Sequence, residues 1–155
     1  MIPIPEFYIY PIYTGILALT LIALLPREEI KRLVIYGIVF GAVTDVAIIG
    51  VISNLLKVGG HISYYPFGAL GVAFFPPLAW GIWFILFFYF LPTDLPWVVI
   101  YVFAAVGTSV LFSNVLVNMQ IFVWNYGRIL VPFLIYGLWF SFAAWAYKRL
   151  TKHHA

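Results

Sequence analysis

The sequence predicts an all-α protein, a polytopic bundle of about five transmembrane helices that forms one domain over residues 1–155. Two observations support this prediction. Hydrophobic residues make up 65% of the chain and charged residues only 8%, whereas a soluble domain carries about 25% charged residues. Long apolar runs also alternate with short polar connections. We therefore expect a multi-pass integral protein of the cell membrane.

The first two spans are separated by a charged connection. Span one covers about residues 8–25 and ends at the sequence PREEIKR. Span two covers about residues 33–56, and as a helix it would extend about 36 Å. That length crosses a hydrocarbon core of about 30 Å with some tilt.

The third apolar run is interrupted by prolines. Pro66, Pro76 and Pro77 bracket an apolar stretch that is too short to cross the core. We predict a half-helix or interfacial segment over residues 67–75, followed by span three over residues 76–91, because proline suits a first helical turn. A single kinked span from Tyr64 is the alternative. Spans four and five are predicted over residues 96–118 and 129–147.

The basic residues indicate an orientation. Cytoplasmic flanks of spans carry an excess of Lys and Arg. Five spans with the N-terminus outside and the C-terminus in the cytoplasm leave only Lys57 and Arg128 on the outer side. They place the remaining basic residues inside, namely Arg27, Lys31, Arg32, Lys148, Arg149 and Lys152.

Motifs for catalysis or cofactor binding are missing from the sequence. The chain has no cysteine, which excludes disulfides and thiolate metal sites. It also contains none of the usual hydrolase, zinc-peptidase or phosphate-loop motifs. We expect no enzymatic activity, no metal and no cofactor. Nucleic acid is not an expected partner, because the basic residues flank spans and form no stripe. His61, in a loop after two glycines, is interpreted as a solvated side chain.

Asp45 lies in the middle of span two. Gly37 and Gly41 form a GxxxG pair, and Asp45 follows one helical step later on the same face. Small residues allow close helix packing, so this face is predicted to lie against another helix. An ionised Asp at the bilayer centre costs about 2.5–3.5 kcal/mol. We therefore expect a protonated, hydrogen-bonded carboxyl. Its candidate partners are Thr44, Thr108, Ser109 and Tyr136.

Other polar and aromatic side chains leave alternatives open. Asn114 and Asn118, one turn apart in span four, could line an outward-opening cavity with Asn54 and Arg128. They could equally form hydrogen bonds between helices. Four aromatic residues lie deeper than the interfacial belt and are interpreted as packing more readily than as a pocket: Trp80, Trp83, Tyr136 and Trp139.

The chain resembles a family of uncharacterised five-span membrane proteins of spore-forming bacteria. The likeness lies in PREEIKR after a short first span, VTDVAII in the second, FFPPLAWGIWF in the third, and FVWNYGR before a last span that ends in WAYKRL. Asn114 stands where this family would lead us to expect an acid in span four. The resemblance implies the five-span topology and no catalytic activity.

Two functions are compatible with these observations. The first is a non-catalytic scaffold or accessory subunit, in which the face of Gly37, Gly41 and Asp45 packs against a helix. Its partners would be the lipid bilayer and a second copy of the chain or another membrane protein. The alternative is a small-molecule, lipid or ion binding or transport protein with an intramembrane site near Asp45.

Overall fold

The computed structural model describes residues 3–152, and five helices make up most of them. α1 (Ile9–Leu24) follows a 3₁₀ turn, and the later helices are α2 (Arg27–Leu55), α3 (Phe75–Tyr89), α4 (Leu95–Asn118) and α5 (Leu130–Lys152). α2, α4 and α5 are long and apolar enough to cross a membrane, and so is α1 when the preceding 3₁₀ turn is included, as Glu6–Leu24. This confirms the predicted bundle of membrane-type helices. A fifth span stays a prediction, because the 15 residues of α3 extend only about 22 Å. The orientation of the chain and the identity of the membrane also stay predictions.

The charged connection between the first two spans is mostly helical. We predicted that span two begins near residue 33, but α2 begins at Arg27, directly after Pro26. Glu28 and Glu29 lie in its first turn, where acidic side chains are stabilised by the helix dipole. The predicted break is therefore confined to Leu25 and Pro26. The start of span two was predicted wrongly because acidic residues such as Glu28 and Glu29 occur in loops and also in the first turn of a helix.

α2 widens into π-helical turns on both sides of Asp45. The two π segments are Gly37–Val43 and Gly50–Leu55, and regular α-helix connects them over Thr44–Ile49. The Thr44 hydroxyl donates to the Val39 carbonyl, five residues earlier, at 2.8 Å. π-Bulges of this kind recur at functional sites.

Four short strands lie outside the helices within residues 3–152. β1 (Gly59–His61) pairs antiparallel with β4 (Phe122–Trp124), which joins two segments far apart in the chain. β2 (Gly68–Ala69) pairs with β3 (Val72–Ala73). This hairpin replaces the half-helix predicted over residues 67–75 and also the alternative kinked span from Tyr64, whereas an interfacial position of this segment stays a prediction. Leu70 and Gly71 at its turn have φ of 54° and 78°, the left-handed conformation of tight hairpin turns.

α3 is the central helix of the bundle. Phe84 is fully buried, and its ring stacks on those of Trp139 and Phe140 at centroid distances of 5.2 and 4.9 Å. Phe88 stacks in the same way on Tyr147, at 4.5 Å. Pro76 and Pro77 occupy the first turn of α3, as the sequence predicted. Eight of the 15 residues of α3 are buried, so other parts of the protein surround much of this short helix.

The glycines of α2 allow α3 to approach its backbone closely. A Cβ placed on Gly37 would lie 2.7 Å from the Gly81 carbonyl oxygen, and one on Gly41 would lie 2.5 Å from the Trp80 carbonyl oxygen. Both distances are well inside van der Waals contact. The face of Gly37 and Gly41 therefore packs against a helix of the same chain.

A hydrogen bond joins α5 to the first π segment of α2. The Trp139 indole N–H donates to the Phe40 carbonyl at 2.7 Å. We expect Trp139→Phe to lower the free energy of unfolding by about 0.6–1.7 kcal/mol, the range for hydrogen bonds between membrane helices. Thermal unfolding in detergent would measure this, with Trp97→Phe as the control because Trp97 is 62% exposed. Equal stability of the two variants would contradict the prediction.

The bundle has two distinct ends. The β end carries the pair β1–β4, and Tyr10 of α1 fixes it through a hydroxyl that lies 2.5 Å from the Ile62 carbonyl and 2.6 Å from the Ile121 carbonyl. The basic end carries Arg27, Lys31 and Arg32 from α2 and three basic residues from α5. Tyr36 and Tyr147 join α2 to α5 there, with their rings 5.0 Å apart.

Candidate functional site

A cavity of about 320 Å³ lies inside the bundle. Side chains from all five helices line it, and His61, Phe122 and Trp124 of the β1–β4 pair close it at the β end. Most of the lining is aliphatic or aromatic. Apart from the indole N–H groups of four tryptophans, the polar side chains of the lining among the described residues are Tyr13, Asp45, His61, Thr108, Ser109, Ser113 and Tyr136. An apolar cavity of this size with a few polar groups is typical of small-molecule sites.

Asp45 reaches this cavity because of the way α2 packs. Gly37 and Gly41 bring α2 against α3, and Asp45 lies one helical step further along the same face. The side chain is only 3% exposed. The hydrogen bond expected from the sequence is not found, since no described residue donates one to the carboxyl. The phenols of Tyr13 and Tyr136 are close enough to interact with it electrostatically.

Two buried nitrogen atoms of the lining have no hydrogen-bond partner among residues 3–152. They are Nδ1 of His61 and Nε1 of Trp83. Buried polar atoms are almost always paired, because each unpaired one costs about 1–3 kcal/mol. Together with the Asp45 carboxyl, the cavity therefore holds three polar groups whose hydrogen-bonding capacity the protein leaves unused.

Part of the cavity lining is exposed, and this part belongs to α1 and α4. Three of its lining residues are also exposed on the outer surface: Ile16 of α1, and Thr108 and Phe112 of α4. The rings of Tyr13 and Phe112 are in contact where these two helices face each other, 5.4 Å between centroids. All four residues lie within the apolar helices α1 and α4, so a ligand entrance between these helices would face the hydrocarbon region of a membrane.

The structure divides the predicted polar site. Asp45, Thr108 and Tyr136 line the cavity, whereas Thr44, Asn114 and Asn118 do not. The Asn114 amide donates to the Arg128 carbonyl at 2.8 Å and to the Val110 carbonyl at 3.0 Å. The Arg128 guanidinium donates to the Asn118 side-chain oxygen at 3.4 Å. The two asparagines thus join the end of α4 to the loop before α5.

Several residues of the site were interpreted otherwise from the sequence. His61 was expected to be solvated, but it pairs with Phe122 in the β1–β4 register and lines the cavity. Trp80, Trp83 and Trp139 were interpreted as packing, and they form walls of the cavity while they pack. The pair of glycines before His61 was the sequence signal available for this close packing. In the structure both glycines are buried, and Gly59 lies close to the backbone of β4.

Burial keeps His61 neutral. It lowers the pKa of the imidazole from 6.5 to about 3. Between those values the unfolded chain binds a proton that the folded chain does not, so stability rises with pH across this window. We expect wild type to lose about 1–3 kcal/mol of unfolding free energy from pH 6.5 to pH 4.5 through this group.

Chemical denaturation of wild type and His61→Gln at both pH values would measure this contribution. The variant lacks the imidazole and should lose less stability than wild type, while carboxyl groups titrate equally in both proteins. Parallel pH profiles for the two proteins would show that His61 is accessible to protons in the folded state.

The described residues contain no group of three or more His, Asp or Glu side chains that could hold a metal ion.

No protein-family model matches the chain, and no curated protein or solved structure is significantly similar to it. The resemblance to the five-span family of spore-forming bacteria therefore stays a prediction.

Proposed function

We propose that the protein binds a small amphiphilic molecule in the cavity between its helices. The observation that supports this most directly is the coincidence of three unused polar groups, on Asp45, His61 and Trp83, within one apolar cavity. A ligand with one hydrogen-bonding group and an apolar body would satisfy these groups and fill the remaining volume. This is the binding alternative of the sequence analysis.

The charges of the lining restrict the ligand. No Lys or Arg lines the cavity among the described residues, and His61 is neutral because burial lowers its pKa. An anion would be buried without a counter-charge, which is strongly unfavourable. The ligand is therefore uncharged, or carries an amine that pairs with Asp45. An entrance between α1 and α4 would give such a molecule a route from the bilayer.

The scaffold hypothesis needs a different surface from the one that suggested it. Its face of Gly37 and Gly41 contacts α3 of the same chain, so this face is not free for a second protein. A scaffold or accessory subunit would use another part of the outer surface. For this reason binding is our first proposal and the scaffold our second.

Native mass spectrometry of gently extracted protein tests the proposal. We expect a chain that carries one reproducible non-protein mass. Ser109→Phe should remove this mass, because Ser109 is buried and lines the cavity. Ala104→Phe on the same helix is the matched control, since Ala104 is exposed and does not line the cavity.

Each result has a clear meaning. A mass that is lost in Ser109→Phe and kept in Ala104→Phe supports binding in the cavity. Protein without any adduct, or an adduct that both variants keep, contradicts it. An oligomer that carries no small molecule would favour the scaffold instead.

A further inference from the structure

A second depression lies on the outer surface at the basic end, between α4 and α5. Its volume is about 360 Å³. Val98, Val99, Val102 and Phe103 of α4 form one wall, and Trp145 of α5 forms the other. The side chains of Val99, Phe103 and Trp145 are 49%, 62% and 57% exposed. This α4–α5 groove is therefore an apolar slot that is open to its surroundings and extends about 12 Å along α4.

Three basic side chains border the groove at its end. They are Lys148, Arg149 and Lys152 of α5. The Lys148 ammonium donates to the Thr93 carbonyl at 2.5 Å, which holds this charge at the basic end of the slot. The Arg149 guanidinium lies over the Trp145 ring, 5.5 Å from its centroid. No acidic residue lines the groove among the described residues.

We propose that the α4–α5 groove binds an anionic phospholipid. Its phosphate would contact Lys148, Arg149 and Lys152, and one acyl chain would lie in the apolar slot. Basic residues at helix ends occur in many membrane proteins because of the orientation rule. Here three of them meet at the mouth of an apolar slot, which matches a phospholipid in both charge and shape. A soluble anion would leave the slot uncovered.

Lipid titration followed by native mass spectrometry tests this proposal. Phosphatidylglycerol and phosphatidylcholine with identical acyl chains are the probes, added to purified protein in neutral detergent. We expect wild type to bind phosphatidylglycerol about tenfold more tightly. Arg149→Gln with Lys152→Gln should abolish this preference, since each basic group near a lipid surface contributes roughly a factor of five and the two together outweigh a preference of about tenfold. Both side chains are exposed, so folding should be unaffected.

A matched variant separates this site from general surface charge. Arg27→Gln with Lys31→Gln removes the same charge at the same end of the bundle, from exposed residues outside the groove. We expect this variant to keep the preference for phosphatidylglycerol. An equal loss in both double variants would overturn the proposal, and so would the absence of any preference in wild type.

The acyl-chain part of the proposal has its own variant. Ser141 is exposed and lines the groove, so Ser141→Trp should fill the slot without changing any charge. We expect it to weaken phosphatidylglycerol binding at least fivefold. Unchanged binding would overturn the placement of the chain. Displacement of the lipid by millimolar inorganic phosphate would overturn the choice of a lipid over a soluble anion.

Discussion

Gly41→Ala is expected to destabilise the bundle by about 1–3 kcal/mol or more, the range for overpacking a close contact. The added Cβ would lie 2.5 Å from the Trp80 carbonyl oxygen and 2.8 Å from the Gly81 Cα. Both obstacles are backbone atoms of α3, so no side-chain rotation relieves them, and the helices must separate. Thermal unfolding in detergent would show a lower midpoint, and the cavity next to this contact would lose its shape.

Gly107→Ala is the control for the helical propensity of glycine. No atom lies within 4 Å of a Cβ at Gly107, so this change should be neutral or stabilise by about 0.5–1 kcal/mol. If Gly41→Ala were as stable as Gly107→Ala, the close contact of α2 and α3 would not contribute to stability.

Asp45→Leu is expected to raise stability while it abolishes ligand binding. The carboxyl is buried and receives no hydrogen bond from a described residue. Replacing such a group by an apolar side chain removes a cost of about 1–3 kcal/mol. A gain in stability with a loss of function is typical of residues kept for binding. Unfolding of ligand-stripped protein and the bound mass of native protein are the two measurements.

Thr14→Val is the contrasting variant, because it removes a buried polar group that does have a hydrogen-bond partner. Thr14 is 4% exposed, and its hydroxyl donates to the Tyr10 carbonyl at 2.8 Å. We expect this variant to lose about 0.5–1.5 kcal/mol and to keep the bound molecule. If Asp45→Leu instead lost stability, Asp45 would be a structural clamp between helices. That result would contradict its role in binding.

The helices and the glycine face could be predicted because their signals are local. Apolar runs locate the helices to within a few residues, apart from the start of α2 and the end of α5, which extends to Lys152 instead of residue 147. Spacing by four places Gly37, Gly41 and Asp45 on one face without any knowledge of the neighbour. The sequence could not show that the neighbour is the short helix α3, because contact between distant segments leaves no periodic pattern.

The rest of the cavity depends on pairing between distant segments. His61 reaches the cavity because β1 pairs with β4, more than sixty residues later. Three-residue strands have too little alternation for a reliable prediction. The half-helix predicted over residues 67–75 was wrong for a related reason, since a short apolar run does not distinguish a strand from a helix. Gly68 and Gly71 were the local signs of a turn.

Entry of a ligand between α1 and α4, as proposed above, would determine which ligand concentration sets the occupancy of the cavity. A molecule that enters from the hydrocarbon region first dissolves in the lipid, so its mole fraction in the membrane sets occupancy, and its aqueous concentration acts only through partitioning. Adding empty vesicles at constant total ligand would then lower occupancy, although the protein and its intrinsic affinity are unchanged. Two membranes with the same amount of ligand and different amounts of lipid would fill the same protein to different extents.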